Sequence, residues 1–327
     1  MAKLRSHLEQ LMRRDLGAAS GAAGVNEDVL RKRIDEYYLP IFQWTRALVD
    51  ATQNAQATAR PCVFVGLSCV QGGGKTTIAT YLEQLLELSG KKCAVVSLDD
   101  VYRTREDQVA LAQANPENPL LQYRGNPGTQ DMKLLIDFMR ECRTSPGEVL
   151  VPRYNKSLHG GRGDRAPKSE WVKKQGPLDV VLIEGWCMGF QAFPSSDHLS
   201  AHLKPINEAL HEFDQLYEQL HGLITIKVGD LNWVYKWRDE QEQHMRALNK
   251  PALSPEQVRD FVDRFMPAYE AFLPRLYATS RDSATGRASP EDSANEQASP
   301  SPNLLAGIPQ LALEIDEARL PVRRSLS

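Results

Sequence analysis

Residues 61–77 read PCVFVGLSCVQGGGKTT, and this stretch decides the fold. It opens with a run of apolar and β-branched residues, which predicts a buried strand. A glycine-rich turn follows and leads into Gly74, Lys75 and Thr76 at the start of a helix. In such a turn, glycines let backbone N–H groups face phosphate oxygens, and the helix N-terminus adds a favourable dipole. The stretch therefore predicts a phosphate-binding loop; the alternative is a glycine-rich turn that binds no ligand.

The side chains of this loop have predicted roles of their own. Lys75 can reach the β and γ phosphates of a nucleotide, and the Thr76 hydroxyl can ligate magnesium. The usual pattern has a glycine where this chain has Cys69, and we expect Gly72 and Gly73 to supply the missing backbone freedom. The predicted nucleotide-binding residues of the loop are Gly72, Gly73, Gly74, Lys75, Thr76 and Thr77.

Further apolar runs divide the chain into strands separated by helical patterns. The predicted strands are residues 61–67, 92–98, 179–184, 222–228 and 311–316. Strands that alternate with helices indicate a parallel sheet with helices on both faces, here an α/β fold of the P-loop NTPase type. We expect residues 1–59 to form an N-terminal helical extension and residues 60–327 to form the phosphate-loop domain. A segment rich in Ser, Ala and Pro, at about 279–303, predicts a disordered insertion in that domain.

Composition narrows the classes of function. With 39 Lys and Arg against 42 Asp and Glu, the net charge is -3, so we expect no nucleic-acid partner. No apolar run reaches the roughly 18 residues of a membrane span, so no membrane association is expected. Residues 1–25 contain Arg and small residues, as transit peptides do, but Glu9 and Asp15 favour an amphipathic helix followed by a Gly/Ala linker. The five scattered cysteines, without a CxxC pair, indicate buried free thiols in a reducing compartment and no zinc site.

Acidic residues follow two of the predicted strands. Asp99 and Asp100 come directly after the second strand, and Glu184 ends the third. Because ligands of open parallel sheets bind at the carboxyl ends of strands, these carboxylates are candidates for accepting a hydroxyl proton or holding magnesium, Glu184 through water. The alternatives are a helix cap or a solvated loop acid, and the pattern alone does not decide which aspartate is the base.

Two glycine-containing loops carry most of the candidate basic groups. Residues 122–131 and 151–165 are charged and non-periodic, which is typical of functional loops in a compact domain. Their basic side chains are Arg124, Arg153, Lys156, Arg162 and Arg165. Guanidinium groups suit carboxylates and phosphates, and the alternative is a solvated basic surface. In the later charged segment 233–246, Arg238 and Arg246 are candidates for a lid over the nucleotide or for one face of a salt-bridged helix.

Several longer motifs together resemble one family. They are GLSCVQGGGKTT (66–77), SLDDVYRTREDQ (97–108), NPLLQYRGNPGTQD (118–131), VPRYNKSLHGGRGDR (151–165), LIEGWCMGF (182–190), WRDEQEQHMR (237–246) and DFVDRFMPAYEAFLPRLY (260–277). In this combination the chain resembles plant and fungal D-glycerate 3-kinase, over about residues 35–280 and again at LALEID. That family is similar in turn to uridine kinase, phosphoribulokinase and bacterial pantothenate kinase. The insertion at 279–303 is not part of the family's pattern.

The resemblance implies an activity and a set of roles. The implied reaction uses ATP and Mg²⁺ to convert D-glycerate to 3-phosphoglycerate, with ADP as the other product. It favours Asp99 as the base, since the aspartate at this position is catalytic in the related kinases, with Lys75 and Glu184 as the other catalytic residues. Thr76 and Glu184 would hold the metal, and Arg238 would contact the nucleotide. The implied acceptor-binding residues are Asp100, Tyr102, Arg124, Arg153, Lys156 and Arg165.

The motifs leave two other functions open. One is a kinase of the same fold that acts on a nucleoside or on pantothenate, and the other is a non-enzymatic ATP-dependent switch. We expect a soluble intracellular monomer whose partner is a small molecule. In a plant or alga the resemblance implies the chloroplast stroma and a role in photorespiration, and otherwise the cytoplasm.

Overall fold

A six-stranded sheet lies at the centre of the fold. The computed structural model describes residues 1–20, 26–55, 61–250, 252–279 and 303–326. Its strands are β1 (Val63–Cys69), β2 (Cys93–Ser97), β3 (Glu148–Val151), β4 (Tyr154–Asn155), β5 (Asp164–Arg165), β6 (Val172–Gln175), β7 (Val180–Gly185), β8 (Gly222–Val228), β9 (Gln310–Ile315) and β10 (Pro321–Leu326). The central order is β10-β9-β8-β1-β7-β2, while β3 pairs with β6 and β4 with β5 in small antiparallel ribbons.

The pairing of the central strands brings the predicted acids together at the carboxyl ends of the parallel strands. β2, β7, β1, β8 and β9 run parallel, and Glu184 of β7 lies opposite both Leu67 of β1 and Ser97 of β2. The structure confirms these five strands where apolar runs predicted them, with small shifts at their ends. β10 departs from the expected parallel sheet, because it pairs antiparallel with β9 at the edge. Its exposed Arg323 and Arg324 leave it without the apolar run that marks the other strands.

Helices cover both faces of the sheet. They are α1 (Ala2–Ser20), α2 (Glu27–Arg33), α3 (Leu39–Asn54), α4 (Lys75–Leu88), α5 (Arg105–Ala114), α6 (Met132–Thr144), α7 (Leu158–Gly161), α8 (Lys204–Ala209), α9 (Asp214–Tyr217), α10 (Trp233–Ala247), α11 (Pro255–Asp263) and α12 (Met266–Thr279). A π-helical turn, Ile34–Tyr38, joins α2 to α3, and 3-10 turns occupy Leu98–Val101, Lys168–Glu170 and Leu210–Phe213. The single turn α7 is irregular, since His159 and Gly160 have positive φ.

The N-terminal helices pack against the helix that follows the phosphate-binding loop. Leu8 and Met12 of α1 and Phe42 of α3 are buried in the same apolar cluster as β1. The Tyr81 hydroxyl of α4 donates to Asp15 Oδ2 of α1 at 2.8 Å. Helices in the predicted extension are thus confirmed, and the division of the chain into two domains stays a prediction.

Some sequence predictions fall on residues that the structure does not describe. The predicted linker at 21–25 and the predicted insertion at 279–303, apart from its two end residues, lie outside the described residues. Where the chain is described again, Asn303 Oδ1 accepts a hydrogen bond from Gln191 Nε2 at 2.9 Å and so ties the start of the final segment to the core. Within the described ranges no helix is long and apolar enough to cross a bilayer. All five cysteines are free and buried.

Candidate active site

The phosphate-binding loop joins β1 to α4 through three glycines with different constraints. Gly72 and Gly74 have φ of 80° and 93°, in the left-handed region that favours glycine. At Gly73 the constraint is space, because a Cβ there would lie 2.2 Å from the Sγ of Cys69. The Cys69 thiol therefore fills the space that Gly73 leaves open, which explains how the loop accommodates cysteine where glycine is usual.

Two donors mark the concave side of the loop. Lys75 Nζ donates to the carbonyl oxygen of Val70 at 3.3 Å, and the backbone N–H of Gly73 donates to the same oxygen at 3.3 Å. Both groups therefore converge on one carbonyl oxygen of the loop between β1 and α4. Backbone N–H groups and a lysine that converge in this way can bind phosphate oxygens.

A buried carboxylate lies beside the first turn of α4. The Thr76 hydroxyl donates to Oε1 of Glu184 at 3.3 Å, while the buried Oε2 has no hydrogen-bond partner among the described residues. Burial raises the pKa of Glu184, and the Lys75 ammonium opposes that increase. A hydroxyl beside an unpartnered carboxylate oxygen fits Mg²⁺, which takes oxygen ligands and completes its shell with water and phosphate. In the described part of the chain no group of three or more His, Cys, Asp and Glu could hold a metal.

The two aspartates after β2 have different surroundings. Asp100 Oδ2 accepts the backbone N–H of Ser97 at 3.1 Å and faces Arg153 Nη1 at 3.2 Å. The Ser97 hydroxyl in turn accepts the N–H of Asp99 at 3.2 Å, so Ser97 and Asp100 form a capping box on the 3-10 turn. Burial raises the pKa of Asp100, and Arg153 opposes that increase. The carboxylate of Asp100 is therefore engaged in holding the turn.

Asp99 instead contacts Tyr102, just beyond the 3-10 turn, and Lys156 of the 151–165 loop. The Tyr102 hydroxyl donates to Asp99 Oδ1 at 2.7 Å, and Lys156 forms an ion pair with Oδ2. Burial raises the pKa of Asp99, but the charge of Lys156 and the two hydrogen bonds outweigh burial and leave the pKa below its usual value. Asp99 is therefore ionised at neutral pH. It is oriented by Tyr102 and Lys156, both of which were predicted from the sequence as acceptor-binding residues.

The basic residues of the two predicted loops meet on the β4–β5 ribbon. Arg165 Nη2 donates to Asp131 Oδ2 at 2.7 Å and to the Tyr102 carbonyl oxygen at 3.3 Å, while its buried Nε has no partner among the described residues. Arg124 Nη1 donates to the carbonyl oxygens of Gly161 and Arg162 and so stabilises the 151–165 loop. The structure thus brings Arg153 and Lys156 to the two aspartates, whereas Arg165 pairs with Asp131 and Arg124 contacts the backbone of the 151–165 loop.

The predicted lid residues have partners within their own region. Arg238 pairs with the buried Glu242 on α10 and lies over the Phe261 ring at 4.9 Å, and burial lowers its pKa. Arg246 donates to the carbonyl oxygen of Leu253 at 2.6 Å. Neither guanidinium contacts the phosphate-binding loop in the described residues, so nucleotide binding by Arg238 stays a prediction.

Sequence reasoning missed two residues of this site, Ser97 and Asp131. Asp131 has a double role, because its Oδ1 caps α6 by accepting the N–H of Leu134 at 2.9 Å while Oδ2 binds Arg165. The sequence carried both signals: Ser97 and Asp100 have capping-box spacing, and Asp131 precedes an amphipathic helix. Neither signal indicates that the residue also orients a catalytic or basic side chain.

Comparison with known proteins places this chain in a family. No family model matches the chain. The chloroplastic D-glycerate 3-kinase of Arabidopsis thaliana is 39% identical over 257 residues, which cover 76% of this chain and 56% of that protein. The uncharacterized kinase mug58 of Schizosaccharomyces pombe is 35% identical over 231 residues, which cover 66% of this chain and 83% of that protein. The solved D-glycerate 3-kinase of Cryptococcus neoformans superposes with a TM-score of 0.70 at 30% identity, covering 88% of this chain and 99% of that one.

The fold and the similarities agree on the class of protein. A phosphate-binding loop between a parallel strand and a helix, with carboxylates at the ends of two neighbouring strands, defines a P-loop kinase. The relatives carry the same class in their names and share most of the described fold. The chain belongs to the D-glycerate 3-kinase family. It spans a little over half, 56%, of the length of the Arabidopsis relative.

Proposed function

We propose that this chain transfers the terminal phosphoryl group of ATP to the 3-hydroxyl of D-glycerate, giving 3-phosphoglycerate and ADP in a Mg²⁺-dependent reaction. The observation that carries the proposal is the placement of Asp99. Its carboxylate is held by Tyr102 and Lys156 next to the β2 end, and Ser97 of that end lies opposite Glu184, which contacts the phosphate-loop Thr76. A candidate base and a candidate phosphate site therefore lie at the same sheet edge.

On the nucleotide side the chain mainly positions and neutralises charge. The N–H groups of the loop and the Lys75 ammonium would bind the β and γ phosphates. Thr77, the residue after Thr76 in α4, would contribute its hydroxyl to the same nucleotide site. Thr76 directly, and Glu184 through water, would hold Mg²⁺. When bound, the metal would offset negative charge on the phosphate oxygens. Lys75 remains close to the transferring group and stabilises its charge.

On the acceptor side Asp99 orients the hydroxyl and takes its proton. Its lowered pKa keeps the carboxylate ionised, so it accepts a hydrogen bond from the substrate hydroxyl before transfer. Glycerate has little apolar surface, so its recognition depends on charged hydrogen bonds, and a guanidinium fork matches a carboxylate best. Arg165 donates to the carbonyl oxygen of Tyr102, whose hydroxyl orients Asp99, and this position beside the base makes it our first choice among the four basic candidates.

The proposal extends to the oligomeric state, the partners and the location of the protein. We infer a monomer with a small-molecule acceptor and no nucleic-acid or membrane partner, in line with the net charge of -3. We also infer a soluble intracellular location, in the chloroplast stroma with a role in photorespiration if the source is a plant or alga, and in the cytoplasm otherwise. The curated relative from Arabidopsis is named as chloroplastic, which supports the first case for a plant source.

An acceptor panel tests the proposed activity. Purified protein is incubated with ATP, Mg²⁺ and D-glycerate, uridine, pantothenate or ribulose 5-phosphate in turn, and ADP release is followed. We expect ADP release to depend on D-glycerate, with the other acceptors inactive or far poorer. Turnover with uridine or pantothenate but not glycerate would replace the proposed substrate. Slow ATP hydrolysis without any acceptor dependence would instead support an ATP-dependent switch.

A further inference from the structure

The turn between β9 and β10 lies against the phosphate-binding loop. Arg319, in this turn, donates from Nε to the carbonyl oxygen of Gly72 at 2.8 Å. The contact joins residues that are 247 positions apart in the sequence. Arg319 itself lies outside every motif that identified the nucleotide site, so the contact was not predictable from the sequence.

Arg319 is itself held from three directions. Its Nη2 pairs with Glu240 of α10 at 2.9 Å, and its Cζ lies 4.8 Å from the ring centroid of Trp237. Its backbone has φ of 59°, and its N–H donates to the carbonyl oxygen of Asp316 at 2.9 Å. Positive φ is uncommon for a residue other than glycine, so the surrounding turn must hold the Arg319 backbone in this conformation. The direction in which the side chain leaves the backbone is set by the same conformation.

Trp237 completes the connection between α10, the turn and the loop. Its indole N–H donates to the carbonyl oxygen of Glu317 at 2.8 Å, and a Cβ on Gly72 would lie 2.5 Å from the Cβ of Trp237. Gly72 is thus approached on one side by Trp237, and its carbonyl is bound by Arg319. Ala318, between the two turn residues, accepts from Arg33 Nη2 at 2.8 Å, so the turn is also supported by α2.

The direction of one peptide group explains why this contact matters. In a trans peptide the C=O of one residue and the N–H of the next point in opposite directions. Arg319 binds the C=O of Gly72, and on the opposite side of the same peptide the N–H of Gly73 donates to the Val70 carbonyl oxygen, which Lys75 Nζ also contacts. A Gly-Gly peptide meets little steric resistance to rotation, so neither residue fixes this orientation by itself.

From these contacts we infer that Arg319 is a positioning residue for ATP binding: it holds the Gly72–Gly73 peptide in the orientation that keeps the Gly73 N–H and Lys75 Nζ on the same side of the phosphate-binding loop. The inference rests on the proposed function only in that the chain binds ATP. It assigns Arg319 no contact with the acceptor. Removing its side chain should therefore weaken nucleotide binding and leave glycerate binding unchanged.

Direct ATP titration without acceptor tests the inference independently of the substrate. The dissociation constant of ATP with Mg²⁺ is measured by calorimetry for wild type and for Arg319→Ala. We expect the constant to rise about tenfold, the effect of losing one hydrogen bond from a charged donor. In steady-state assays KM for ATP should rise similarly while KM for glycerate stays within about twofold. Wild-type protein that binds ATP but does not phosphorylate glycerate would contradict the proposed function and leave this test intact.

Three variants separate positioning from general stabilisation. Arg323→Ala removes an exposed arginine of β10 that has no ion-pair or side-chain hydrogen-bond partner in the described residues, and Glu240→Gln removes only the ion pair to Arg319. We expect Arg323→Ala to bind ATP as wild type does, and Glu240→Gln to bind ATP more weakly than wild type but more tightly than Arg319→Ala, because only one of the contacts that hold Arg319 is changed. Arg319→Met keeps the apolar stem over Trp237 and serves if Arg319→Ala does not fold. Added methylguanidinium should restore part of the ATP affinity of Arg319→Ala in a saturable way and leave Arg323→Ala unaffected.

The ATP affinity and the melting temperature of the Arg319 variants together test the positioning role. Weak ATP binding by a folded Arg319 variant, with a melting temperature near that of wild type and rescue by methylguanidinium, supports the inference. Wild-type ATP affinity in any folded Arg319 variant overturns it. Equal increases in the KM values for ATP and glycerate, or loss of ATP binding only in proportion to a lower melting temperature, would show a structural role and overturn it as well.

Discussion

The nucleotide side and the acceptor side of this active site are built in different ways. The phosphate-binding loop of the nucleotide side is local: β1, three glycines and the start of α4 lie within residues 63–77, and Glu184 and Arg319 are among the few residues that contact it from distant parts of the chain. The acceptor side is assembled from ion pairs between distant segments, such as Lys156 with Asp99 and Arg165 with Asp131. This difference suggests that changes on the first side affect turnover with every acceptor, whereas changes on the second alter acceptor binding or proton transfer.

The largest expected effect is on the nucleotide side. Lys75→Ala should lower turnover about a thousandfold or more with the fold intact, because the ammonium stabilises charge on the transferring group. Turnover with saturating substrates and a melting curve measure the two parts of the prediction. Lys133→Ala, an exposed residue of α6, is the matched control. A folded Lys75→Ala protein with near wild-type turnover would remove the phosphate-binding loop from the mechanism.

The next effect separates the two aspartates. Asp99→Asn should lower turnover about a hundredfold, because a base that accepts the hydroxyl proton contributes on that order, with ATP affinity little changed. Asp100→Asn should lower turnover less, since Asp100 caps the turn and pairs with Arg153. Parallel kinetics on the two variants give the comparison. The opposite order of effects would make Asp100 the base.

A smaller effect concerns the substrate carboxylate. Arg165→Met should raise KM for glycerate about tenfold and leave KM for ATP within about twofold, because it removes a charged donor on the acceptor side only. Arg140→Met on the exposed face of α6 is the control for losing one arginine. If KM for ATP rises as much as KM for glycerate, the two sides of the site are not separable in this way.

The smallest expected effect is a shift of a pH profile. Lys156 lowers the pKa of Asp99, and burial raises it. Removing the ammonium in Lys156→Met therefore raises the pKa of Asp99, and Asp99 must be ionised to accept a proton. The acidic limb of kcat/KM for glycerate should accordingly move to higher pH, while the profile of Lys133→Met should match wild type. An unchanged acidic limb would show that Asp99 does not control the profile, or that Lys156 does not face it in solution.

The difference between the phosphate-binding loop, built from one stretch of sequence, and the acceptor side, built from distant ion pairs, also explains what could be predicted from the sequence. The five parallel strands were predicted because each is buried on both faces and therefore reads as an apolar run. The β4–β5 ribbon was missed because each strand has two residues, and its position depends on Arg165 and Asp131. The acids and arginines of the site were identified as candidates by residue type and place. Their pairing was not predictable, because periodicity does not report contacts such as Lys156 with Asp99, 57 residues apart.

The measurement that tests the proposed activity most directly is the identity of the phosphorylated product. Purified protein is incubated with ATP, Mg²⁺ and D-glycerate, and the product is analysed by phosphorus NMR against authentic 2- and 3-phosphoglycerate. In the proposed arrangement basic groups would bind the carboxylate and Asp99 would take the proton of the distal hydroxyl, so the product should be 3-phosphoglycerate, and Asp99→Asn should form it far more slowly. Formation of 2-phosphoglycerate, or of inorganic phosphate alone, would contradict the proposed arrangement of acceptor, base and phosphate-binding loop.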